Sequence, residues 1–256
     1  MIKAAFFDVD GTLVSYKTKQ VLPSARAAIA KLQEKGILCI VATGRHMIQM
    51  SKMPVGDIPF DAFVMLNGQL VLDKQQNMLF GTPIQGKAKE FLIEKFNDHA
   101  FPAVMVEEND MYLNCVTDHV RNVNEVMSIS LLPRCQYKGG EIYQICAYLR
   151  PEDEILVAPI AEECVFTSWH YGGKDIIAGG GGKMVGIRRY LELMGIQSDE
   201  IIAFGDAEND LDMIRVAGIG VAMGNASDEV KAVADYVTAD IDEDGIEKAL
   251  KHFGLI

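Results

Sequence analysis

The sequence has no apolar run long enough to cross a membrane. Its longest uncharged apolar stretches, such as Ile37 to Ala42, have the length of a strand, whereas a transmembrane helix needs about 18 such residues. Asp8 interrupts the apolar N-terminus too early for a secretory signal. We therefore expect a soluble, cytoplasmic protein without a membrane partner.

Cysteine is sparse, and its spacing forms no recognised motif. The five cysteines are scattered and include no C-x-x-C pair, which argues against a disulfide framework or a thiolate zinc site. The phosphate loop G-x-x-x-x-G-K-[ST] is also missing, because Ile177 stands at its first glycine and Met184 follows Lys183. These absences fit a reducing cytoplasm and exclude a P-loop nucleotide site.

Positive charge is in deficit. The chain has 24 Lys and Arg against 36 Asp and Glu, so its formal net charge is −12. A field of this sign repels the phosphates of nucleic acid and of anionic lipid. We therefore expect no nucleic-acid partner, and nothing in the sequence implies an obligate protein partner.

Both ends of the chain alternate short β-rich runs with helical patterns. The main predicted elements there are strands at Ala4 to Phe7, Ile37 to Ala42, Ala62 to Leu66, Ile201 to Phe204 and Gly220 to Met223, and helices at Pro23 to Lys35, after Arg45, Lys183 to Met194, Glu208 to Val216 and Ser227 to Ala234. Such alternation is typical of βαβ units in a parallel sheet. The predicted class is α/β, with a Rossmann-like parallel-sheet core.

The middle of the chain has a different pattern. It predicts a helix over residues 86–99, two strands within residues 103–115 and a half-buried strand over residues 141–149. Glycine clusters punctuate this region, which ends at the run Gly179 to Gly182. We predict a catalytic core of residues 1–81 and 181–256, with an α+β cap domain, residues 82–180, inserted between its halves.

Polar residues beside glycines follow three of the predicted strands. Asp8 and Asp10 follow the first, Thr43 the second and Asp206 the fourth of these runs. Since the carboxyl ends of parallel strands share one edge of a sheet, we expect these groups to converge there. Taken singly, each acid would be an ordinary loop or cap residue; their coincidence favours a site.

The chemistry of these residue types points to phosphoryl transfer with Mg²⁺. Clustered carboxylates repel one another unless a cation neutralises them, and hard oxygen ligands favour Mg²⁺. Asp8 can attack phosphorus, and Asp10 can protonate the leaving oxygen. The backbone after Gly11, the Thr43 hydroxyl and the Lys183 ammonium can hold phosphate oxygens. For Arg45, substrate contact and simple exposure to water are both open.

Four motifs in this order resemble the haloacid dehalogenase (HAD) superfamily, and within it the Cof-like phosphatases with a large inserted cap. They are Asp8-Val9-Asp10-Gly11-Thr12, Ala42-Thr43-Gly44-Arg45, Gly182-Lys183 and Gly205-Asp206-Ala207-Glu208-Asn209-Asp210. The resemblance implies that Asp8 is the nucleophile and Asp10 the general acid/base.

The same resemblance implies the ligands of the metal and of the phosphate. Mg²⁺ would be held by the Asp8 side chain, the Asp10 carbonyl and Asp206. The residues implied to support the metal or to contact phosphate and substrate are Thr43, Gly44, Asn67, Lys183, Asn209 and Asp210.

We therefore expect a Mg²⁺-dependent phosphatase that hydrolyses a small phosphorylated metabolite, such as a sugar phosphate, through an aspartyl phosphate. A sugar phosphomutase is an alternative, since the same intermediate can pass its phosphoryl group to a hydroxyl. A phospho-receiver signalling module is a third possibility. Asp10 counts against it, because a second carboxyl beside the nucleophile favours turnover over a long-lived phosphoryl group.

Overall fold

The structure, a computed structural model, describes residues 1–127, 129–169 and 172–256. The strands are β1 (Ala4–Phe7), β2 (Leu38–Ala42), β3 (Ala62–Met65), β4 (Leu70–Asp73), β5 (Met78–Gly81), β6 (Ala103–Val106), β7 (Met111–Leu113), β8 (Gln144–Ala147), β9 (Cys164–Trp169), β10 (Gly173–Ala178), β11 (Ile201–Gly205), β12 (Ile219–Ala222) and β13 (Tyr236–Val237). The α-helices are α1 (Pro23–Glu34), α2 (Met47–Met50), α3 (Gly86–Asn97), α4 (Asp118–Met127), α5 (Lys183–Met194), α6 (Leu211–Val216), α7 (Asp228–Val233) and α8 (Gly245–His252).

The chain forms two units, one of residues Met1–Phe80 with Gly182–Ile256 and the other of Gly81–Gly181. The first unit is built on a sheet of order β13-β12-β11-β1-β2-β3-β4-β5. The strands from β13 to β3 pair in parallel, and β4 pairs antiparallel with β3. The carboxyl ends of β1, β2 and β11 therefore lie side by side.

Strand β1 lies at the centre of this sheet because its sequence is apolar on both faces. Its four residues, Ala4 to Phe7, are fully buried. A strand covered on both faces is a continuous apolar run rather than an alternating one. Phe7 stacks on Phe204 of the neighbouring β11, with ring centroids 5.1 Å apart. Packing on both faces thus holds the strand that leads into Asp8.

The second unit has its own antiparallel sheet, of order β7-β6-β8-β10-β9. Helix α3 covers one face with Ala88, Leu92 and Phe96, which are spaced four residues apart and are all buried. Ile145 and Ile176 of the sheet belong to the same apolar cluster. This unit therefore has a hydrophobic core of its own.

The fold class predicted from the sequence is confirmed, with a parallel-dominated sheet in one unit and an antiparallel sheet in the other. Several elements differ. The helix after Arg45 is a single turn, Met47–Met50, and the helix at Glu208 begins with a 3₁₀ turn, Glu208–Asp210. The predicted half-buried strand is shorter, and Gln144, Ile145 and Ala147 in it are buried. None of the helices in the described ranges combines the length and apolar character that a membrane crossing requires.

Candidate active site

Asp8 follows β1 directly and is almost completely buried. Its backbone N–H continues the pairing of the sheet by donating to the Phe204 carbonyl at 3.0 Å. Its Oδ1 accepts a hydrogen bond from the Lys183 ammonium at 2.5 Å. Only 5% of Asp8 is exposed. The parallel sheet therefore places this carboxylate, and a cation that pairs with it, at the end of its central strand.

Lys183 is the first residue of α5 and is fully buried between two carboxylates. Its Nζ lies 2.5 Å from Asp8 Oδ1 and 2.7 Å from Asp210 Oδ1. Close packing of α5 on the turn after β3 sets this position, since a Cβ on Gly186 would lie 2.8 Å from the Gly68 carbonyl. The pKa of Lys183 is raised because the two carboxylates outweigh the effect of burial.

Asp210 has protein donors on both of its oxygens. Oδ1 accepts from Lys183, and Oδ2 accepts from the backbone N–H groups of Asp206 at 3.0 Å and Ala207 at 3.1 Å. Asp210 thus fixes both the lysine and the turn that carries Asp206. The 3₁₀ segment Glu208–Asp210, which replaces the start of the predicted helix, follows that turn.

Asp206 follows β11 and completes a cluster of three buried carboxylates. Oxygens of Asp8, Asp206 and Asp210 all lie within 4.8 Å of one another. Burial, followed by the charge of Asp210, raises the pKa of Asp206 to about 7, although a hydrogen bond from Thr12 opposes the rise. Burial also raises the pKa of Asp8, against the opposing effect of Lys183.

This cluster fits a hard divalent cation. Its ligand atoms are carboxylate oxygens, the type that Mg²⁺ and Ca²⁺ prefer. Burial is the main cause of the raised pKa values of Asp8 and Asp206, and repulsion from neighbouring carboxylates adds to it. A bound cation would relieve the repulsion that remains.

Asp10 lies past the turn from Asp8, and its carboxylate is paired with Arg45. The Arg45 guanidinium contacts it with Nε at 2.5 Å and Nη2 at 2.8 Å, a two-pronged geometry. The Tyr16 hydroxyl donates to the Asp10 carbonyl at 3.1 Å. The contact of Arg45 in this structure is thus with an acid of the site.

Gly11 makes the turn between Asp10 and Thr12 possible. Its φ is +88°, and a Cβ there would lie 2.2 Å from Asp206 Oδ2. A side chain at this position would therefore displace Asp206. The Thr12 hydroxyl in turn donates to Asp206 Oδ1 at 3.0 Å.

The residues after β2 and β3 form a polar edge within the same unit. Thr43 is buried, and its Oγ1 accepts from the Arg45 N–H at 3.2 Å. Asn67 has a φ of +53° and accepts a hydrogen bond on Oδ1 from Asn209 Nδ2 at 3.0 Å. A Cβ on Gly44 would lie 3.1 Å from the Asn67 side chain. The sequence-predicted residues of these loops thus lie together.

Three further residues contact the site and were not singled out from the sequence. They are Thr12, Tyr16 and Asn225, whose amide donates to the Gly11 carbonyl at 2.7 Å. Thr12 could have been identified, since it lies inside the first motif. Tyr16 and Asn225 belong to no motif, and only the folded chain brings Asn225 to Gly11.

A family model described as haloacid dehalogenase-like hydrolase matches residues 5–250. The chain belongs to this family. The HAD match covers both units and all four motifs, and relatives that resemble the chain along nearly all of its length are named as phosphatases. This chain is a HAD phosphatase of the Cof type.

Three relatives illustrate the similarity. The pyridoxal phosphate phosphatase YbhA of Escherichia coli (strain K12) is 30% identical, over 93% of this chain and 94% of its own. The solved structure of the phosphatase BT1666 from Bacteroides thetaiotaomicron is 32% identical, with a TM-score of 0.90, and covers 100% of this chain and 96% of its own. The HAD subclass IIB sugar phosphatase BT4131 is 32% identical, with a TM-score of 0.87, and covers 99% of this chain and 100% of its own.

Proposed function

We propose that this HAD phosphatase hydrolyses a small phosphorylated metabolite through a phosphoryl group carried on Asp8, with Mg²⁺ as cofactor. The observation that carries the proposal is the position of the Asp8 carboxylate. It is buried at the end of β1, 2.5 Å from the Lys183 ammonium, within a carboxylate cluster suited to a cation. This arrangement gives a nucleophile and the charges that an incoming phosphate requires.

In the first step an Asp8 carboxylate oxygen forms a bond to phosphorus as the bond from phosphorus to the leaving oxygen breaks. Asp10 gives a proton to that leaving oxygen. The Lys183 ammonium, the Thr43 hydroxyl and the backbone after Gly11 stabilise the negative charge of the transferring group. The products are an alcohol and an aspartyl phosphate.

In the second step water attacks the phosphorus and Asp10 takes its proton, which releases inorganic phosphate and restores Asp8. This role requires the Asp10 carboxylate to leave its pairing with Arg45. We propose that Arg45 then contacts the anionic substrate, since its guanidinium is free to exchange one anion for another. Asn67, Gly44 and Asn209 line the same edge and would contact the substrate.

Mg²⁺ would be held by the Asp8 side chain, the Asp10 carbonyl and Asp206, and when bound it supplies positive charge next to the phosphate. Asp210 would support it indirectly, because both of its oxygens already accept from protein donors. The resemblance also implies Asn209 as a support of the metal; its hydrogen bond to Asn67 would hold that substrate-contacting side chain in place.

We propose a small phosphate monoester as substrate because of the molecules named for two relatives. BT4131 is named a sugar phosphatase and YbhA a pyridoxal phosphate phosphatase, and both names specify small phosphorylated molecules. The chain is similar to both proteins along at least 93% of its length. This similarity supports a substrate of the same size class.

The test is turnover of a panel of sugar phosphates, nucleotides and phosphorylated cofactors by wild type and by Asp8→Asn, with Mg²⁺ or with EDTA. We expect Mg²⁺-dependent release of phosphate from wild type and a loss of more than about a hundredfold in Asp8→Asn. The matched control is Asp57→Asn, which changes an acid whose side chain is 72% exposed. Asp8→Asn turnover close to wild type would contradict the proposal, and a phosphorylated sugar as product would indicate a mutase.

A further inference from the structure

Asn225 lies in a segment that is attached to the end of β11. This segment connects β12 to α7. Its Met223 N–H donates to the Gly205 carbonyl at 3.1 Å, and its Ser227 N–H donates to the Asp206 carbonyl at 3.0 Å. Asn225 therefore lies between two backbone contacts that hold the turn carrying Asp206.

The side chain of Asn225 joins two other segments. Its Nδ2 donates to the Gly11 carbonyl at 2.7 Å, and its Oδ1 accepts from the Ile241 N–H at 3.0 Å. The orientation of the amide follows from its partners, since a carbonyl only accepts and a backbone N–H only donates. The Asn225 side chain thus connects the turn after Asp8 to a segment that lies 214 positions later in the sequence.

The Gly11 carbonyl is an effective place to hold this turn. Because the peptide bond is planar, fixing this carbonyl also fixes the direction of the Thr12 N–H and the start of Thr12. The Thr12 hydroxyl contacts Asp206 Oδ1 at 3.0 Å. The Gly11 Cα faces the same carboxylate so closely that no Cβ fits. A shift of the Gly11 peptide would therefore change the spacing between Asp206 and the turn.

We propose that Asn225 is a positioning residue, which sets the separation between the Asp8-to-Thr12 turn and Asp206 through its hydrogen bond to Gly11. This proposal rests on the proposed function, because that separation matters through the cation and phosphate held between the two loops. The Asn225 side chain hydrogen-bonds to two backbone groups and not to a carboxylate of the site. Its effect should therefore appear in metal affinity and turnover together.

The experiment compares Asn225→Asp and Asn225→Ala with wild type, using titration calorimetry with MgCl₂ alone, steady-state kinetics and thermal melting. Asn225→Asp keeps the acceptor for the Ile241 N–H and loses only the donor to Gly11. The control Thr238→Val removes the hydrogen bond from Thr238 Oγ1 to the Gly245 carbonyl, which is 2.6 Å long and lies in the same C-terminal segment without contact to Gly11.

We expect both Asn225 variants to bind Mg²⁺ about tenfold or more weakly and to lose about 10- to 100-fold in kcat/KM, the range seen when residues that orient metal ligands are removed. Asn225→Asp gives the clearest sign. Its added negative charge would by itself tighten the binding of a cation, so weaker binding can only come from displacement of the turn. Thr238→Val should melt a few degrees lower with Mg²⁺ affinity unchanged.

A purely structural role would give a different pattern. Asn225→Asp would then keep its Mg²⁺ affinity and kcat/KM, while Asn225→Ala would only melt at a lower temperature, as Thr238→Val does. That result would overturn the positioning role and leave the proposed function intact. Absence of Mg²⁺ binding in wild type, or turnover by Asp8→Asn, would instead overturn the proposed function.

Discussion

Replacement of Lys183 by methionine tests the charge balance of the site most severely. The ammonium is fully buried, and it is 2.5 Å from Asp8 and 2.7 Å from Asp210. At an effective dielectric constant of about 20, each contact of this length corresponds to about 6 kcal/mol of attraction. Desolvation offsets much of this, and removing one partner of a buried ion pair typically destabilises a protein by about 3–5 kcal/mol.

We therefore expect Lys183→Met to lower the free energy of unfolding at pH 7.5 by about 3–5 kcal/mol and to reduce kcat by about 10²- to 10³-fold. Loss of the lysine removes the effect that lowers the pKa of Asp8, so that pKa rises further. The variant should then recover stability as the pH is lowered from 7.5 to 5, because a proton on Asp8 removes a buried charge that no lysine pairs. Urea denaturation at both pH values and initial rates measure these effects.

Two comparisons separate charge from other consequences of the substitution. Lys174→Met breaks a partly exposed ion pair with Glu154, 3.0 Å long, and should change stability by at most about 1 kcal/mol. Adding Asp210→Asn to Lys183→Met removes one uncompensated carboxylate, and should restore stability without restoring turnover. An unchanged urea midpoint for Lys183→Met at pH 7.5, with kcat within tenfold of wild type, would refute the reasoning.

Three further predictions concern the acids and the turn. Gly11→Ala should lower stability by about 1–3 kcal/mol and turnover by more than about tenfold, because its Cβ would lie 2.2 Å from Asp206 Oδ2. The control Gly36→Ala has a φ of +76° with open space around it and should retain full activity. Equal activity of the two variants would contradict the steric argument. In metal-free protein, Asp206 binds its proton more tightly in the folded state than in the unfolded state, since its pKa is raised from 3.8 to about 7. The free energy of unfolding in EDTA should therefore fall as the pH rises from about 4 to about 7, and Mg²⁺ should reduce this fall. A rise in stability over the same range would contradict the raised pKa. Arg45→Lys keeps the charge but loses the two-pronged geometry with which we propose that Arg45 contacts the anionic substrate. The value of kcat/KM should therefore fall about tenfold, and unchanged kinetics would show that this geometry is dispensable.

The sequence predicts much of the fold where local pattern and burial agree. Strand β1 and helix α5 were predicted with the bounds that the structure has, Ala4–Phe7 and Lys183–Met194. Strands β4 and β5 and helix α4 were not predicted. Short elements of this kind depend on neighbouring strands and on tertiary packing more than on their own residues.

The site, like the fold, was predicted only in part from the sequence. Parallel strand ends imply that Asp8, Thr43 and Asp206 converge, whatever connects them. The pairing of Arg45 with Asp10 and the contact of Asn225 with Gly11 depend on side chains that meet across 35 and 214 positions. No periodicity or spacing encodes such contacts, so only the folded chain identifies them.

The central claim, that Asp8 carries the phosphoryl group, can be tested directly by acid quench during turnover of a ³²P-labelled monoester, followed by proteolysis and mass spectrometry. Our account predicts label on the peptide that contains Asp8, removable by hydroxylamine as expected for an acyl phosphate, and absent from Asp8→Asn. Label on another residue, or no labelled protein while phosphate is being released at the wild-type rate, would contradict it.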